Sequence, residues 1–390
     1  MAKYDKLFEP VTLGNNVQVK NRFMLAPMCD DSANHGQVID QQLAYMESRA
    51  AYVGIADTGY AYVNDSGIQV DGQLSAAHDS DIPGLAKLAK VMKKGGAKAI
   101  LQLSHAGRDS GVSNANGERV YAPSKLKFSW LNYEVDEMTE ADIEQVISDF
   151  KAATHRAIKA GFDGVEIHNC NHDLLQQFFS AISNHRTDQW GGSLEKRMAF
   201  PLAVQKAVKE AITESGKPDF IFGWRISPEE KHGDQVGYEI NDMVAQTKKV
   251  IDEGIDYLNI SLNLSADYNN SSRPSYDVQV KGTTESFPAY FQKVVGNLPI
   301  YIGSNVLTAD DALAAVDDAT GVYVGRELLM DPDFVKKIMD GNTDQIINTT
   351  TIEHLKEVGL PAGFVENYAD KDGSGRMVSY RNGIPLPGLD

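Results

Sequence analysis

The sequence predicts an α/β fold, a single (β/α)8 TIM barrel. Short apolar runs rich in Val, Ile and Leu alternate with longer segments of helical period, which is typical of parallel strands joined by crossover helices. Eight such runs are present; a barrel of this kind needs about 250 residues, so the 390 residues leave a surplus for insertions and tails. We therefore expect one domain over residues 1–390, with the barrel core at about 22–340 and a C-terminal extension at about 341–390.

The first predicted element is an N-terminal hairpin, because VTLGNNVQVKN carries apolar runs on both sides of Gly14-Asn15-Asn16. The barrel strands follow it, and each is a short apolar run bounded by polar or turn-forming residues. They are predicted at residues 23–27, 54–58, 98–103, 163–168, 219–225, 256–261, 299–303 and 321–325.

The clearest helix is predicted over residues 140–160, where apolar residues recur at i, i+3 and i+4 spacing. Thr139 and Asp142 form a start like a capping box, and Gly161 is placed to end the helix. Pro83 opens another helix. In the last 40 residues, TIEHLKEV is predicted to be helical, whereas YRNGIPLPGLD contains too much Pro and Gly for a helix.

Composition excludes several classes of protein. Lys and Arg total 37 against 54 Asp and Glu, and the net charge of −17 would repel nucleic acid or an anionic membrane surface. The two cysteines, Cys29 and Cys170, are too few for a disulfide scaffold, a four-thiolate zinc site or a cysteine-ligated iron–sulfur cluster. No apolar run reaches the roughly 18 residues of a membrane span, and no leader is evident. We expect a cytoplasmic protein whose partners are small molecules.

Several common motifs are absent from the sequence. It contains no GxxxxGK[ST], no GxGxxG after a strand, no HExxH and no GxSxG. Nucleotide hydrolysis, a Rossmann dinucleotide domain and a serine-hydrolase elbow are therefore disfavoured. The long polar loops 104–139 and 169–194 follow strands three and four on the C-terminal face of the barrel, where we expect the site.

The ends of strands seven and eight are typical of a phosphate site. Gly303-Ser304 and Gly325-Arg326 stand where such barrels commonly bind phosphate through backbone N–H groups, and Arg326 would add a bidentate cation. In the alternative, the glycines only form tight turns and Arg326 pairs with Asp331 or Asp333.

Strand five places Arg225 at the barrel mouth, where a buried cation needs an anionic or electron-rich partner. A flavin would supply one, since a cation near its pyrimidine ring stabilises the negative charge of the reduced form. Gln102, at the end of strand three, offers a donor and an acceptor to the same ring. The alternative partner for Arg225 is Glu166 on strand four.

The most unusual run, His168-Asn169-Cys170-Asn171-His172-Asp173, follows strand four. His168 and Asn171 would aim two hydrogen-bond donors at one acceptor oxygen and stabilise the charge that develops when hydride arrives. A less favoured hypothesis is a metal-dependent lyase, in which strand alternation places His168, Cys170 and His172 on one side as ligands.

Together these motifs resemble the old yellow enzyme family of FMN-dependent NAD(P)H oxidoreductases, and the resemblance spans nearly the whole chain. The matching segments are KNRFMLAPM (20–28), LQLSHAGR (101–108), GFDGVEIH (161–168), SNHRTDQWGGSLEKRMAFPL (183–202), RISPE (225–229) and VGRELLMDPDF (324–334). The resemblance implies a bound FMN, with NADH or NADPH as reductant. It also implies roles for individual residues: Pro27, Met28 and Gln102 contact the flavin, Arg225 lies by its N1/C2 edge, Gly303, Ser304, Gly325 and Arg326 hold the phosphate, and His168 and Asn171 hold the acceptor oxygen.

Cys29 follows the APM motif where one bacterial subgroup has cysteine, which would place its thiol near flavin O4/N5 and tune the potential. The alternative for Cys29 is a buried small hydrophobe. The second strand ends DTGYAYV where the family often has TEATAV, so Tyr60 would bring bulk and a phenol towards the flavin. The subgroup's tail arginine, which reaches a neighbouring subunit's site, would be Arg381.

The sequence departs from the family at the proton donor. The family pattern H-x-x-[NH]-G-Y ends in a tyrosine that protonates Cα, and here His172 and Asp173 stand in the last two places. An aspartate with an ordinary pKa of roughly 4 is ionised at pH 7 and suits general-acid catalysis poorly. His172, Asp173 or solvent would have to supply the proton. Asp30, Asp31 and Asp173 would make the pocket mouth acidic and favour neutral or cationic acceptors.

We therefore predict an FMN-dependent oxidoreductase that takes hydride from NADH or NADPH and passes it, by a ping-pong mechanism, to a small-molecule acceptor. Enones, quinones, nitro compounds and oxygen are the candidate acceptors. The alternative is a flavin-binding partner or regulatory protein with vestigial turnover. A homodimer or a higher homo-oligomer is compatible with the resemblance.

Overall fold

The computed structural model describes residues 3–264, 274–369 and 386–389. Within them, eight parallel strands close into a barrel: β1 (Phe23–Leu25), β2 (Ile55–Asp57), β3 (Lys98–Ser104), β4 (Gly164–Asn169), β5 (Ile221–Ile226), β6 (Tyr257–Ile260), β7 (Ile300–Ile302) and β8 (Gly321–Val324). Each strand pairs with the next, and β8 pairs with β1 to close the ring. The predicted barrel is confirmed, and all eight strands lie within two residues of their predicted bounds.

Short additional strands decorate the barrel. The predicted hairpin is confirmed: Val11–Thr12 pairs antiparallel with Gln18–Val19. The other short strands are Ala61–Tyr62, which continues β2 beside β3, the parallel pair Tyr121–Ala122 and Asp136–Glu137, and the antiparallel pair Glu230–His232 and Gln235–Tyr238. The hairpin closes the N-terminal end of the barrel, where the Gly14 N–H donates to the Asp256 carbonyl at 2.9 Å.

The described helices surround the barrel. The α-helices are Asp40–Ala50, Ile82–Met92, Gly111–Ala115, Glu140–Ala160, Leu174–Phe179, Leu194–Arg197, Ala199–Glu214, Ile240–Glu253, Phe287–Val295, Ala309–Asp318, Arg326–Met330, Phe334–Met339, Ile352–Glu357 and Ala362–Ala369. Short 3-10 helices span Asp5–Phe8, Asp65–Gly67, Asp79–Asp81, Gly107–Asp109 and Thr343–Gln345.

The predicted helix starts and stops are found. Thr139 and Asp142 form a reciprocal capping box, and Gly161 ends the long helix in the left-handed region at a φ of 84°. Pro83 lies in the first turn of Ile82–Met92. The TIEHLKEV segment contains the helix Ile352–Glu357. No helix of the described ranges is long and apolar enough to cross a membrane.

The barrel interior changes from apolar to polar along the strands. At the N-terminal end, hairpin and strand side chains pack together; they include Val11, Leu13, Met24, Ile55, Ile100, Ile221, Tyr257 and Tyr301. Two residues further along four of the strands, and four residues further along β5, alternation turns polar side chains inward. These buried residues, which we name the polar layer, are Asp57, Gln102, Glu166, Arg225 and Asn259. The polar layer lies just beneath the C-terminal face of the barrel, where the site is expected.

The segment 169–194 was expected to be a long polar loop, and this is wrong for its first half. Asn171 and His172 have positive φ angles of 53° and 68°, so the chain leaves the strand direction after β4. It then enters the helix Leu174–Phe179, whose six residues are all buried. A tight left-handed turn followed by a buried helix therefore holds the functional run close to the barrel mouth.

Candidate active site

The polar layer is organised around the carboxylate of Glu166. Gln102 donates from Nε2 to Glu166 Oε1 at 2.6 Å, and Asn259 donates from Nδ2 to Oε2 at 3.0 Å. The expected alternative, a close ion pair between Glu166 and Arg225, is absent from the ion pairs of the described residues. Because the Gln102 amide nitrogen is held by Glu166, its buried Oε1 remains without a hydrogen-bond donor. That oxygen is available to an N–H group above the polar layer.

Arg225 is a buried cation at the mouth of β5, with 3% of its surface exposed. Its Nη1 lies 3.5 Å from the Pro27 carbonyl oxygen, its guanidinium lies 5.5 Å from the centre of the Tyr323 ring, and its Nε has no hydrogen-bond acceptor. Burial lowers the pKa of Arg225, but nearby Cys170, Tyr323, Glu166 and Asp57 outweigh it and raise the pKa. The site therefore offers a permanent positive charge with an unmet N–H donor.

Asp57, which was not singled out from the sequence, completes the polar layer. Neither of its buried carboxylate oxygens has a donor among the described residues, and the carboxylate of Glu166 lies within contact. Burial, and next the charge of Glu166, raise the pKa of Asp57 well above its usual range, against the opposing effect of Arg225. Burial beside another carboxylate therefore disfavours the ionised form of Asp57, since like charges in contact cannot both ionise at low cost.

The loops after β1 and β2 pack tightly at the rim. A side chain at Gly59 would lie 2.5 Å from the Met28 carbonyl oxygen and 2.6 Å from Cys29 Cα, so only glycine allows this approach. Cys29 is buried beside Val70 and the half-buried Tyr60. Burial, and then Asp31 and Asp30, raise the pKa of the Cys29 thiol well above its usual range, so it stays protonated. Pro27, Met28, Cys29 and Tyr60 thus share one corner of the mouth.

The expected acidic mouth is wrong for two of its three residues. Asp30 is buried and accepts hydrogen bonds from Ser32 and from Gln42, the latter at 2.9 Å. Asp173 is also buried and faces other protein groups, as described below. The carboxylates are held by local donors instead of facing solvent, and the expectation that they favour neutral or cationic acceptors loses its basis.

The ends of β7 and β8 lie side by side. A Cβ at Gly303 would lie 2.3 Å from the Tyr323 carbonyl oxygen, and one at Gly325 would lie 3.2 Å from Met28 Sδ. Ser304 has a positive φ of 98°, and Arg326 donates from Nη2 to Asn305 Oδ1. Asp331, one alternative partner of Arg326, pairs with Lys337 at 2.6 Å. The four residues predicted to hold a phosphate are therefore adjacent.

His168 is the centre of the catalytic run and has 2% of its surface exposed. Its Nδ1 lies 2.9 Å from Asp173 Oδ2, and its Nε2 lies 3.0 Å from Asn171 Nδ2. Ser104 donates from Oγ to Asp173 Oδ2, and Ser261 donates from Oγ to Asn171 Oδ1 at 2.9 Å. His168 is the register partner of Arg225 across β4 and β5. The predicted pair of His168 and Asn171 is thus brought together at the barrel mouth.

Two effects of opposite sign act on the protonation of His168. Burial disfavours the imidazolium, but Cys170 and the Asp173 carboxylate favour it and raise the pKa of His168 to about 10. The Asn171 amide group facing Nε2 suits a neutral ring instead, because an N–H donor needs a lone pair there. The site can accommodate the charged ring and the neutral ring. When the ring is charged, the Asn171 amide can rotate so that its oxygen faces Nε2, because the Ser261 hydroxyl can accept as well as donate a hydrogen bond.

His172 lies on the far side of this turn from His168. Gln176 donates from Nε2 to Glu230 Oε2 at 2.8 Å and contacts His172 Nδ1 at 3.1 Å, and its Oε1 accepts from the His172 N–H. His172 Nδ1 is 3.9 Å from Glu230 Oε2. His172 therefore belongs to a second buried network, formed with Gln176, Glu230 and Ser180, whose hydroxyl donates to Glu230 at 2.9 Å.

The metal hypothesis loses its geometric basis. Because Asn171 and His172 adopt left-handed backbone conformations, strand alternation does not extend through the run, and His168 and His172 face different networks. Among residues 3–264, 274–369 and 386–389, no group of three or more His, Cys, Asp or Glu is arranged to hold a metal ion. Arg381, the predicted tail arginine, lies outside the described residues.

Five residues of the site are not predicted from the sequence: Ser104, Ser261, Asp57, Gln176 and Glu230. For two of them a signal exists: alternation from Gln102 places Ser104 on the site side of β3, and alternation from Asn259 places Ser261 likewise after β6. Asp57, Gln176 and Glu230 lack such a signal, because their partners come from distant segments.

A closed parallel barrel, a buried cation beside an unsatisfied amide oxygen, and a histidine–asparagine pair above them define a flavin-dependent oxidoreductase of the (β/α)8 class. The model of the NADH:flavin oxidoreductase / NADH oxidase family matches residues 6–345. The chain belongs to this family and is an NAD(P)H:flavin oxidoreductase of old yellow enzyme type. Its cofactor is FMN, and NADH or NADPH is its reductant.

Individual relatives agree with the family. The chain is 37% identical over 346 residues to the Bacillus subtilis (strain 168) probable NADH-dependent flavin oxidoreductase YqiG, covering 88% of the chain and 90% of that protein. It is 32% identical over 383 residues to NADH:acrylate oxidoreductase of Vibrio harveyi, covering 96% of the chain and 37% of that larger protein. Morphinone reductase in complex with tetrahydroNAD has a TM-score of 0.77 at 24% identity, covering 91% of the chain and 96% of that chain, and shares the fold.

Proposed function

We propose that this chain transfers hydride from NADH or NADPH to a small oxidised acceptor by a ping-pong mechanism, with both molecules using the same face of the site in turn. The observation that carries the proposal is the convergence of His168 Nε2 and Asn171 Nδ2, 3.0 Å apart, above the polar layer. Two donors at one point bind the acceptor oxygen and stabilise the negative charge that hydride brings. Enones, quinones, nitro compounds and oxygen are the acceptor classes that carry such an oxygen.

The cofactor roles of the remaining site residues are part of this proposal. Bound FMN would supply hydride transfer between the reductant and the acceptor. Arg225 would stabilise negative charge at the pyrimidine edge, and the unsatisfied Gln102 Oε1 would accept a ring N–H. Backbone groups of Gly303, Ser304 and Gly325, with the Arg326 side chain, would hold the phosphate. Pro27, Met28, Cys29 and Tyr60 would form the remaining wall.

One relative supports nucleotide binding in a barrel of this fold, and another indicates an acceptor class. Morphinone reductase, which has the same barrel, forms a complex with tetrahydroNAD. Reductant and acceptor that alternate above one flavin need no separate dinucleotide domain. The larger Vibrio harveyi relative is an NADH:acrylate oxidoreductase, so its acceptor is an α,β-unsaturated acid.

The proposed function is tested by anaerobic spectroscopy of the purified protein. We expect a yellow protein whose flavin absorbance bleaches on addition of NADH or NADPH and returns on addition of an acceptor. A protein that cannot be loaded with FMN, or whose bound FMN is reduced by neither nucleotide, would contradict the proposal.

A flavin-binding partner with vestigial turnover is the second candidate. The observation that favours it is the Tyr60 ring, which lies 5.6 Å from the His168 ring and narrows the space above the polar layer. Steady-state assays separate the two candidates, because a binding protein would hold FMN and turn over negligibly with every acceptor. If the wild type does not turn over and Tyr60→Thr does, the Tyr60 side chain is the group that blocks the acceptor.

A further inference from the structure

We propose that Asp173 is a positioning residue that makes His168 the proton donor, so that the site prefers acceptors protonated on oxygen, quinones above all, over alkenes protonated on carbon. The inference rests on the proposed function and deepens it by naming the acceptor class. Its starting observation is that the side chain at the usual place of a tyrosine acid does not face the acceptor. Asp173 faces His168 and Ser104.

The pair is a buried ion-pair contact. Asp173 Oδ2 lies 2.9 Å from His168 Nδ1, and each side chain is 2% exposed. The contact is not aligned as a hydrogen bond, because His168 Nδ1 has no hydrogen-bond partner among the described residues. The Ser104 hydroxyl donates to the same carboxylate oxygen from the neighbouring strand and holds it there. A carboxylate at this distance favours the positively charged imidazolium over the neutral ring.

The charged and titratable groups around His168 are few. Asp173 and Cys170 come from its own loop, Tyr60 comes from the loop after β2, and Arg225 is its neighbour on β5. Arg225 opposes a second positive charge, whereas Asp173 compensates it. Although burial lowers the pKa of His168, Cys170 and Asp173 outweigh it and raise that pKa to about 10. At neutral pH the ring thus has a proton at Nε2 to give.

In the proposed complex one quinone oxygen lies between His168 Nε2 and Asn171 Nδ2 and accepts both N–H groups. Hydride supplied by the reduced cofactor would form an O–H bond at the opposite quinone oxygen, both carbonyl π bonds would break as the ring becomes aromatic, and negative charge would remain on the oxygen that faces His168. The His168 Nε2–H bond breaks with its electron pair left on the imidazole nitrogen, and the second O–H bond forms, which completes the hydroquinone. The neutral ring then accepts the Asn171 N–H, as in the structure, until water reprotonates it.

An alkene acceptor needs its proton elsewhere. Hydride at Cβ leaves a carbanion at Cα, and its proton must come from a group facing the carbon instead of the carbonyl oxygen. Asp173 does not serve, because it is buried, faces His168 and accepts the Ser104 hydroxyl. Tyr60 is the other phenol near the ring and is therefore included in the test.

The test compares Asp173→Asn with Glu230→Gln, a matched variant of the second buried histidine–carboxylate pair. The FMN-loaded proteins are reduced with NADH, and stopped-flow spectroscopy follows their reoxidation by a quinone and by an enone. In the wild type we expect the quinone to react at least about 100-fold faster than the enone. For each variant, the rate of reoxidation by the quinone is divided by the rate at which NADH reduces the bound FMN. We expect this ratio to fall about 100-fold in Asp173→Asn and to stay within about threefold of the wild-type ratio in Glu230→Gln.

A second readout does not depend on turnover. The titration of His168, followed by NMR in the oxidised protein, should shift to lower pH in Asp173→Asn and remain in place in Glu230→Gln. Cys170→Ala tests the competing partner: a shift as large as that in Asp173→Asn would overturn the role given to Asp173. Retained FMN content shows that each variant is folded, and Ser104→Ala, with a smaller shift in the same direction, replaces Asp173→Asn if that variant fails to fold.

Three results would overturn the inference: equal wild-type rates with quinone and enone, enone reduction that is fast and lost in Tyr60→Phe, or an unchanged His168 titration in Asp173→Asn. Failure of the proposed function is a different result, namely no reduction of bound FMN by NADH or NADPH. The titration still reports on the Asp173–His168 pair in that case.

Discussion

The structure contains two buried histidine–carboxylate pairs, whose histidines His168 and His172 lie close together in sequence. The two pairs differ in the distance between their members and in the groups around them. His168 and Asp173 are 2.9 Å apart with no group between them, whereas His172 and Glu230 are 3.9 Å apart with the Gln176 amide in contact with both. The Nε2 atom of the first pair contacts Asn171 Nδ2 at 3.0 Å. The second is a closed network beneath the helix Leu174–Phe179. Although both pairs are buried and both join a histidine to a carboxylate, the two histidines lie in different chemical environments.

The two pairs also differ in whether the neighbouring side-chain amide can rotate and reverse its hydrogen bonds. Gln176 is fixed at both ends of its amide, by the His172 N–H and by Glu230, so it cannot turn without losing two hydrogen bonds. Asn171 is fixed by the Ser261 hydroxyl, which donates in one orientation and accepts in the other. The hydrogen bond between Asn171 and Ser261 can therefore reverse when the proton of His168 leaves or returns, whereas the hydrogen bonds of Gln176 beside His172 have one direction only.

Removing the titratable ring of the first pair should give the largest effect. His168→Asn keeps an N–H donor near the acceptor but has no proton to give, so reoxidation of the reduced enzyme by a quinone should slow by about 10²–10⁴-fold. Stopped-flow reoxidation measures this directly. A loss below about tenfold would mean that solvent supplies the proton.

The two carboxylates should affect stability over different pH ranges, and each variant should gain stability relative to the wild type as the pH rises through its own range. The raised pKa of His168 stabilises the folded protein below pH 6.5, and this contribution disappears as the pH rises towards about 10. Asp173→Asn should therefore be less stable by about 3 kcal/mol near pH 6 and approach the wild type at high pH. Burial raises the pKa of Glu230, so an ionised Glu230 costs stability as the pH rises above 4.5. Glu230→Gln should accordingly gain stability relative to the wild type over that range.

Chemical denaturation at several pH values measures both curves. Parallel curves for the two variants would remove the distinction between the pairs. A flat difference for Asp173→Asn, with a loss of constant size, would show that the carboxylate acts through packing and not through the charge on His168.

Replacing the ring of the second pair should affect stability and not chemistry. We expect His172→Asn to lower the free energy of unfolding by about 1–3 kcal/mol, because Gln176 and Glu230 lose a buried partner. Asparagine tolerates the left-handed φ of 68° at this position, so backbone strain does not confuse the result. Quinone reoxidation should remain within about threefold of the wild type; a larger loss would give His172 the catalytic role that its place in the family pattern suggests.

The contrast also separates what the sequence can predict from what it cannot. The eight strands were predictable because an apolar run bounded by turn residues is a local signal, and the register of parallel strands then gathers Gln102, Arg225 and His168 at one end. The capping of the helix Glu140–Ala160 was predictable for the same reason.

The partners of His168 and His172 were not predictable by such signals. Two consecutive left-handed residues end the strand alternation after β4, and they send Asp173 back to His168 and His172 away from it. Whether a residue adopts this conformation depends on contacts such as that between the Asn171 N–H and Ser227 Oγ, 56 positions away. The family pattern identified the place of the missing tyrosine, but only the fold shows that its replacement turns inward.

We expect the smallest effect from removing a serine hydroxyl beside either pair, Ser261 next to Asn171 or Ser180 next to Glu230. Ser261→Ala removes the group that orients the Asn171 amide, so quinone reoxidation at neutral pH should fall by about three- to tenfold, the cost of one neutral hydrogen bond. The pH at which His168 titrates should not move, because Asp173 is untouched. Ser180→Ala is the matched control, since Ser180 gives its hydrogen bond to Glu230 in the closed network. If both serine variants slow reoxidation equally, the second network is coupled to the mouth, and the separation between the two histidines does not hold.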